Sequence, residues 1–175
     1  MLARDQPEWG PEEIERVGRE LLARLDPWSY WLAVLSADAF GDFAVVGTTG
    51  AFLVAVCGLE GPFHAEGDRL TVGGRPLGGL REARGAARRA KAKLHDAAVF
   101  TEVRPLICLS RAIAGAPLSV RGVRVVGLAD LVSEITSRES TLVASRAKRG
   151  AEVLGRVLST GTGARSEREG EGEEP

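Results

Sequence analysis

Two cysteines and two histidines in 175 residues leave little material for a disulfide framework or a histidine-rich metal centre. Cys57 and Cys108 sit mid-strand among apolar neighbours, where a thiol behaves as a small hydrophobe, so a reducing compartment is expected. His64 and His95 lack partners at ligand or base spacing. Aromatic residues make up only 5% of the chain, too few to favour base stacking on single strands. No apolar run approaches a bilayer span, and the first residues, MLARDQPEWGPEE, lack the apolar core of a signal peptide. A cytoplasmic protein without a membrane partner is expected. Neither G-x-G-x-x-G nor a P-loop lysine accompanies the glycine pairs Gly73-Gly74 and Gly78-Gly79. Ser110 and Ser119 have no histidine and acid arranged near them in sequence.

What is present is ordinary globular material, 44% hydrophobic, with a formal charge of −1. That near-neutrality hides a split, because residues 166–175 hold five glutamates and one arginine. The remainder keeps 22 basic and 19 acidic side chains and is mildly basic, too little to imply nucleic acid by itself. The expected organisation is an N-terminal extension at 1–9, one α/β domain at 10–158 and a disordered acidic tail at 159–175.

The organising stretch is residues 42–61. Asp42-Phe43-Ala44-Val45-Val46 and residues 51–57, AFLVAVC, carry no charge after Asp42, as strands buried on both faces do. Gly47-Thr48-Thr49-Gly50 joins them with a glycine at each end, which predicts a central antiparallel hairpin. Before it, Pro11-Glu12-Glu13 marks a helix start and residues 28–35 read as a strand. After it, residues 63–66 and 69–72 read as a small hairpin on the sheet's edge.

Residues 77–95 turn helical, with Leu80, Ala83, Ala87, Ala90 and Leu94 on one side and a stripe of Arg81, Arg84, Arg88 and Lys91 beside it. Residues 103–109 form a buried strand in which Pro105 argues for an edge position or an early bulge. A loop at 112–119, a strand at 123–126, a short helix at 128–135 and a last helix at 140–158 complete the order.

This order, with GDFAVVGTTGAFLVAVCGLEG at residues 41–61, resembles the nuclease-related domain (NERD) family, a bacterial branch of the restriction-endonuclease-like PD-(D/E)xK superfamily. The resemblance implies a three-layer α/β core, a mixed β-sheet flanked by helices. It also implies a metal-dependent phosphodiesterase site in which an aspartate opens one core strand and an acid-x-lysine motif ends the next. Asp42 takes the first position, as catalytic residue and metal ligand, but the acid and the lysine fall on Ala55 and Cys57. A methyl group and a thiol neither hold Mg²⁺ nor activate water.

The family's glutamine has no counterpart in the helix at 77–95. The expectation is therefore a catalytically inactive pseudoenzyme, without cofactor, that serves as a binding or assembly module. It would contact protein, or nucleic acid phosphates through Arg81, Arg84, Arg88 and Lys91. The alternative is an Mg²⁺-dependent nuclease with relocated carboxylates, rebuilt from Asp42, Glu60 and Glu13.

Overall fold

The computed structural model describes residues 11–35, 41–113 and 115–159; the extension at 1–9 and residues 160–175 of the expected tail lie outside the described residues. Helix α1 (Pro11–Arg24) opens with Glu12 and Glu13 in its first turn, where acids meet the positive end of the helix dipole. Val17, Gly18 and Leu21 form its buried side. A Cβ on Gly18 would meet the Phe43 ring at 3.0 Å, so the missing side chain lets the helix lie close to the sheet. The carboxylate of Asp26 then accepts from the Trp28 amide and the Ser29 hydroxyl, turning the chain into β1 (Tyr30–Val34).

Strands β2 (Phe43–Gly47) and β3 (Gly50–Cys57) form the expected hairpin, and every residue of both is buried. They are followed by β4 (Phe63–Glu66), β5 (Arg69–Val72), β6 (Arg75–Pro76), α2 (Leu80–Asp96) and β7 (Val103–Leu109). The chain closes with β8 (Leu118–Val120), β9 (Val123–Gly127), α3 (Leu128–Thr136) and α4 (Ala144–Ser159).

Six strands make one mixed sheet in the order β1-β2-β3-β7-β9-β8. The first three run antiparallel, β3, β7 and β9 run parallel, and β8 turns back against β9. Alternate residues point to opposite faces. Leu53, Ala55 and Cys57 face Leu80, Ala83, Ala90 and Leu94 of α2 and Ala147 and Leu154 of α4. Phe52, Val54 and Val56 face Val17 and Leu21 of α1 and Leu131 and Ile135 of α3. The protein is thus a three-layer α/β structure. Each fully buried Leu, Ile or Phe contributes about 1.5–3 kcal/mol, so the two faces of β3 hold the layers together. Among the described residues no helix is long and apolar enough to cross a membrane.

Four expectations need correction. The segment at 63–72 is not an edge hairpin of the main sheet, because β6 joins it to make a separate three-stranded sheet, β4-β5-β6. Strand β7 is not at an edge either; it lies between β3 and β9. Pro105 is tolerated there because pairing with β9 begins only at Leu106, leaving Pro105 opposite Leu53 with one strand neighbour. The loop expected at 112–119 also contributes strand β8, and the last helix begins at Ala144 rather than at 140.

Candidate functional site

Strands β3 and β7 end side by side, and the segments that leave them stay together. The Ser110 amide donates to the Cys57 carbonyl at 3.0 Å, and the Ile113 amide to the Gly61 carbonyl at 3.0 Å. Beyond the carboxyl ends of parallel strands is where α/β proteins commonly place their sites. Helix α1 delivers Glu13 to this end from its first turn.

Glu13 is buried, at 6% exposure, yet both of its carboxylate oxygens have a hydrogen-bond donor. The Ser110 hydroxyl donates to Oε2 at 2.5 Å, and Nε of Arg111 donates to Oε1 at 2.5 Å. The other end of the fork, Nη1 of Arg111, reaches Oε1 of Glu60 at 3.4 Å. The Ser110 hydrogen bond holds the Glu13 carboxyl below the ordinary carboxylate range; burial opposes it, and the hydrogen bond and charge of Arg111 reinforce it. Glu13 in turn pushes the Arg111 guanidinium up.

Glu60 is exposed, but the backbone beneath it is fixed by two glycines. A Cβ on Gly73 would stand 2.1 Å from the Glu60 carbonyl oxygen, and one on Gly61 would stand 2.7 Å from Gly73 Cα. The Gly73 amide also donates to the Pro62 carbonyl at 2.8 Å, so the small sheet presses on the turn that carries Glu60.

Asp42 has a different occupation. Its amide donates to the Val54 carbonyl at 2.7 Å, and its Oδ2 accepts from the Val56 amide at 2.8 Å. The carboxylate thus continues the ladder where β3 outruns β2. Extending the register Phe43↔Val54 by one step sets Asp42 across from Ala55. Ala55 and Cys57 are buried among the apolar side chains of the α2 and α4 layer. The structure therefore brings Glu13 and Glu60 to one guanidinium and sets Asp42 against the β3 backbone. Among the described residues no three His, Cys, Asp or Glu side chains gather as a cation site.

On α2, Arg81, Arg84 and Arg88 are exposed, while Lys91 is half-buried and donates to Glu102 at 2.6 Å. His64 lies across from Thr71 on β5, and His95 meets Phe100 edge-on at 5.2 Å. Cys57 and Cys108 are both buried free thiols on opposite faces of the sheet, and burial pushes the Cys108 thiol up to about 12. The sequence alone does not mark Arg111 as a site residue. Its partners lie 98 and 51 residues away in the chain, and only the adjacency of Ser110 and Arg111 to a strand end hinted at a role.

Compared with protein-family models, curated proteins and solved structures, the chain gives no match.

Proposed function

We propose that the chain is a nuclease-related domain of the restriction-endonuclease-like kind that does not cleave, and that it acts as a binding or assembly module contacting nucleic acid phosphates through α2. The chain order supports the reading. A helix precedes a three-stranded antiparallel meander, and a crossover helix leads to a strand parallel with the third. The observation that carries it is the Asp42 carboxylate bound to the Val56 amide, flanked along the strand by buried Ala55 and Cys57.

Mg²⁺ takes hard oxygen ligands in near-octahedral geometry. Against that demand, Ala55 and Cys57 supply no oxygen from their side chains, Asp42 already accepts a backbone amide, and Glu13 and Glu60 share Arg111. This set does not fit the cation. The guanidinium of Arg111 supplies the positive charge that the two carboxylates require.

Incubation of the full chain with plasmid, linear DNA and RNA in Mg²⁺ or Mn²⁺ tests the proposal. No cleavage is expected, and cleavage abolished by Asp42→Ala would overturn it. The convergence of Glu13 and Glu60 favours a second reading, a nuclease with relocated ligands. That reading requires heat of Mn²⁺ binding that is lost in Asp42→Ala and Glu60→Gln.

A further inference from the structure

At the opposite end of β7, about 20 Å along the strand from Arg111, three arginines gather on the face covered by α3. Arg104 is the second residue of β7 and Arg124 the second of β9, and Arg138 follows α3. Two of them hold one carboxylate, that of Glu134, whose side chain is 11% exposed, and Arg104 feels the charges of both Glu134 and Arg138. Nε of Arg124 donates to its Oε1 at 2.8 Å, and Nη2 of Arg138 donates to the same oxygen at 3.1 Å. Arg124 spends its Nη1 on the Ser119 hydroxyl at 3.3 Å.

Arg104 has no carboxylate within ion-pair distance among the described residues. Its chain neighbour Glu102 is held by Lys91 at 2.6 Å. Even with about half a negative charge credited to the C-terminal end of α3, three guanidiniums against one carboxylate leave a surplus of about +1.5. The arrangement is also short of acceptors, because the buried Nε of Arg138 has no hydrogen-bond partner. Burial and the nearby charge of Arg138 lower the pKa of Arg104. Like charges crowded at a half-buried surface are costly unless something negative joins them. The Arg104 fork extends toward Gly50, where a Cβ would be 3.8 Å from Nη1.

We propose that Arg104, Arg124 and Arg138 form a binding site for a phosphate-class oxyanion, in which Arg104 and Arg138 hold the ligand and Glu134 fixes the guanidiniums of Arg124 and Arg138. Guanidinium forks match tetrahedral oxyanions in geometry as well as charge. The site is separate from the Glu13–Arg111 cluster and does not depend on the nuclease-related reading.

The test is isothermal titration of the full chain with inorganic phosphate, with ionic strength held constant by sodium chloride. Saturable binding to one site is expected, weakened about tenfold or more in Arg104→Gln, the loss of one charged hydrogen bond. Glu134→Gln, which frees two guanidiniums while keeping the side chain's shape, is expected to bind phosphate more tightly. Thermal melts confirm that each variant is folded. Absence of phosphate heat in the parent, or equal affinity in the parent, Arg104→Gln and Arg138→Gln, would overturn the site. Competition by a short 5′-phosphorylated oligonucleotide, and not by its unphosphorylated form, identifies a nucleic acid terminus as the source of the phosphate. Failure of both to compete identifies a free phosphate or small phosphate ester.

Discussion

The Ser110 hydroxyl donates to Glu13 Oε2 at 2.5 Å across 97 residues of chain, tying the first turn of α1 to the residue that follows β7. The bond is buried, and it joins the outer layer to the centre of the sheet at the end where β3 also finishes. Arg111 then extends the tie to Glu60 on the far side. Three separate stretches of sequence are fixed to one another by one carboxylate and one guanidinium.

The depressed Glu13 pKa makes this tie pH-sensitive. A carboxyl titrating below its ordinary value of 4.5 in the folded state adds stability above that value and loses it as pH falls through the folded-state value. Glu13→Gln is expected to destabilise by about 1–3 kcal/mol at neutral pH, the cost of replacing a charged hydrogen bond in a buried place. Urea melts of parent and variant should therefore differ at pH 7 and converge as the pH falls below 4.5. A gap that stays constant into acid would show that Glu13 acts through packing and not through its charge.

The turn beneath Glu60 gives a second test, because Gly73 and Gly74 separate two effects that usually come together. Both have left-handed backbone, φ +57 and φ +77, so alanine at either is strained by about 1–3 kcal/mol. Only at Gly73 would the new Cβ also run into backbone, 2.1 Å from the Glu60 carbonyl oxygen, whereas nothing lies within 4 Å at Gly74. Gly73→Ala should lower the melting temperature clearly more than Gly74→Ala. Equal losses would mean that the small sheet yields freely and does not brace Glu60.

Much of this architecture is legible in the chain because it depends on local pattern. The β2–β3 hairpin announces itself through two uncharged runs and a glycine at each end of the turn, and α2 through Leu80, Ala83, Ala87, Ala90 and Leu94, all of them buried. What escapes is what the pattern cannot encode. Strand β6 is two residues long and β8 three, below any periodicity. Pro105 speaks against a central strand, yet its position is decided by where the neighbouring β9 begins pairing. Glu13 is visible as a first-turn acid, whereas its hydroxyl and guanidinium partners come from the far end of β7, a distance only folding closes.

The hairpin turn carries a further long-range tie whose parts can be ranked. Thr49 donates to the Ile135 carbonyl at 2.7 Å, satisfying an acceptor in the last turn of α3, so the Tyr30 hydroxyl is the donor in its 3.0 Å bond to Thr49. Thr49→Val removes the central hydroxyl and strands a buried carbonyl, at an expected cost of about 1–3 kcal/mol. Tyr30→Phe leaves the Thr49–Ile135 bond intact and should cost about 0.5–1.5 kcal/mol, the usual net worth of one hydrogen bond. The Tyr30 ring still covers Gly47, where a Cβ would stand 2.1 Å from it, so packing is the same in both proteins. Chemical denaturation of the two variants checks the order, and a Tyr30→Phe loss exceeding that of Thr49→Val would refute this assignment of donors.

If α2 meets nucleic acid phosphates, its salt dependence follows from which cations are available. Lys91 is engaged with Glu102, so Arg81, Arg84 and Arg88 are the side chains of the stripe open to phosphate. Three phosphate contacts on duplex DNA predict a slope of about −2.7 for log K against log salt concentration. Reversing charge at Arg84 alone should reduce the magnitude of that slope by about one contact and weaken all sequences alike, since phosphate contacts carry no base information. Glu102→Gln should move it the other way, because Lys91 is then released to bind. Fluorescence anisotropy with a labelled duplex across a salt series measures both changes. Binding that ignores salt, or that Arg84→Glu leaves untouched, would remove α2 as the contacting surface.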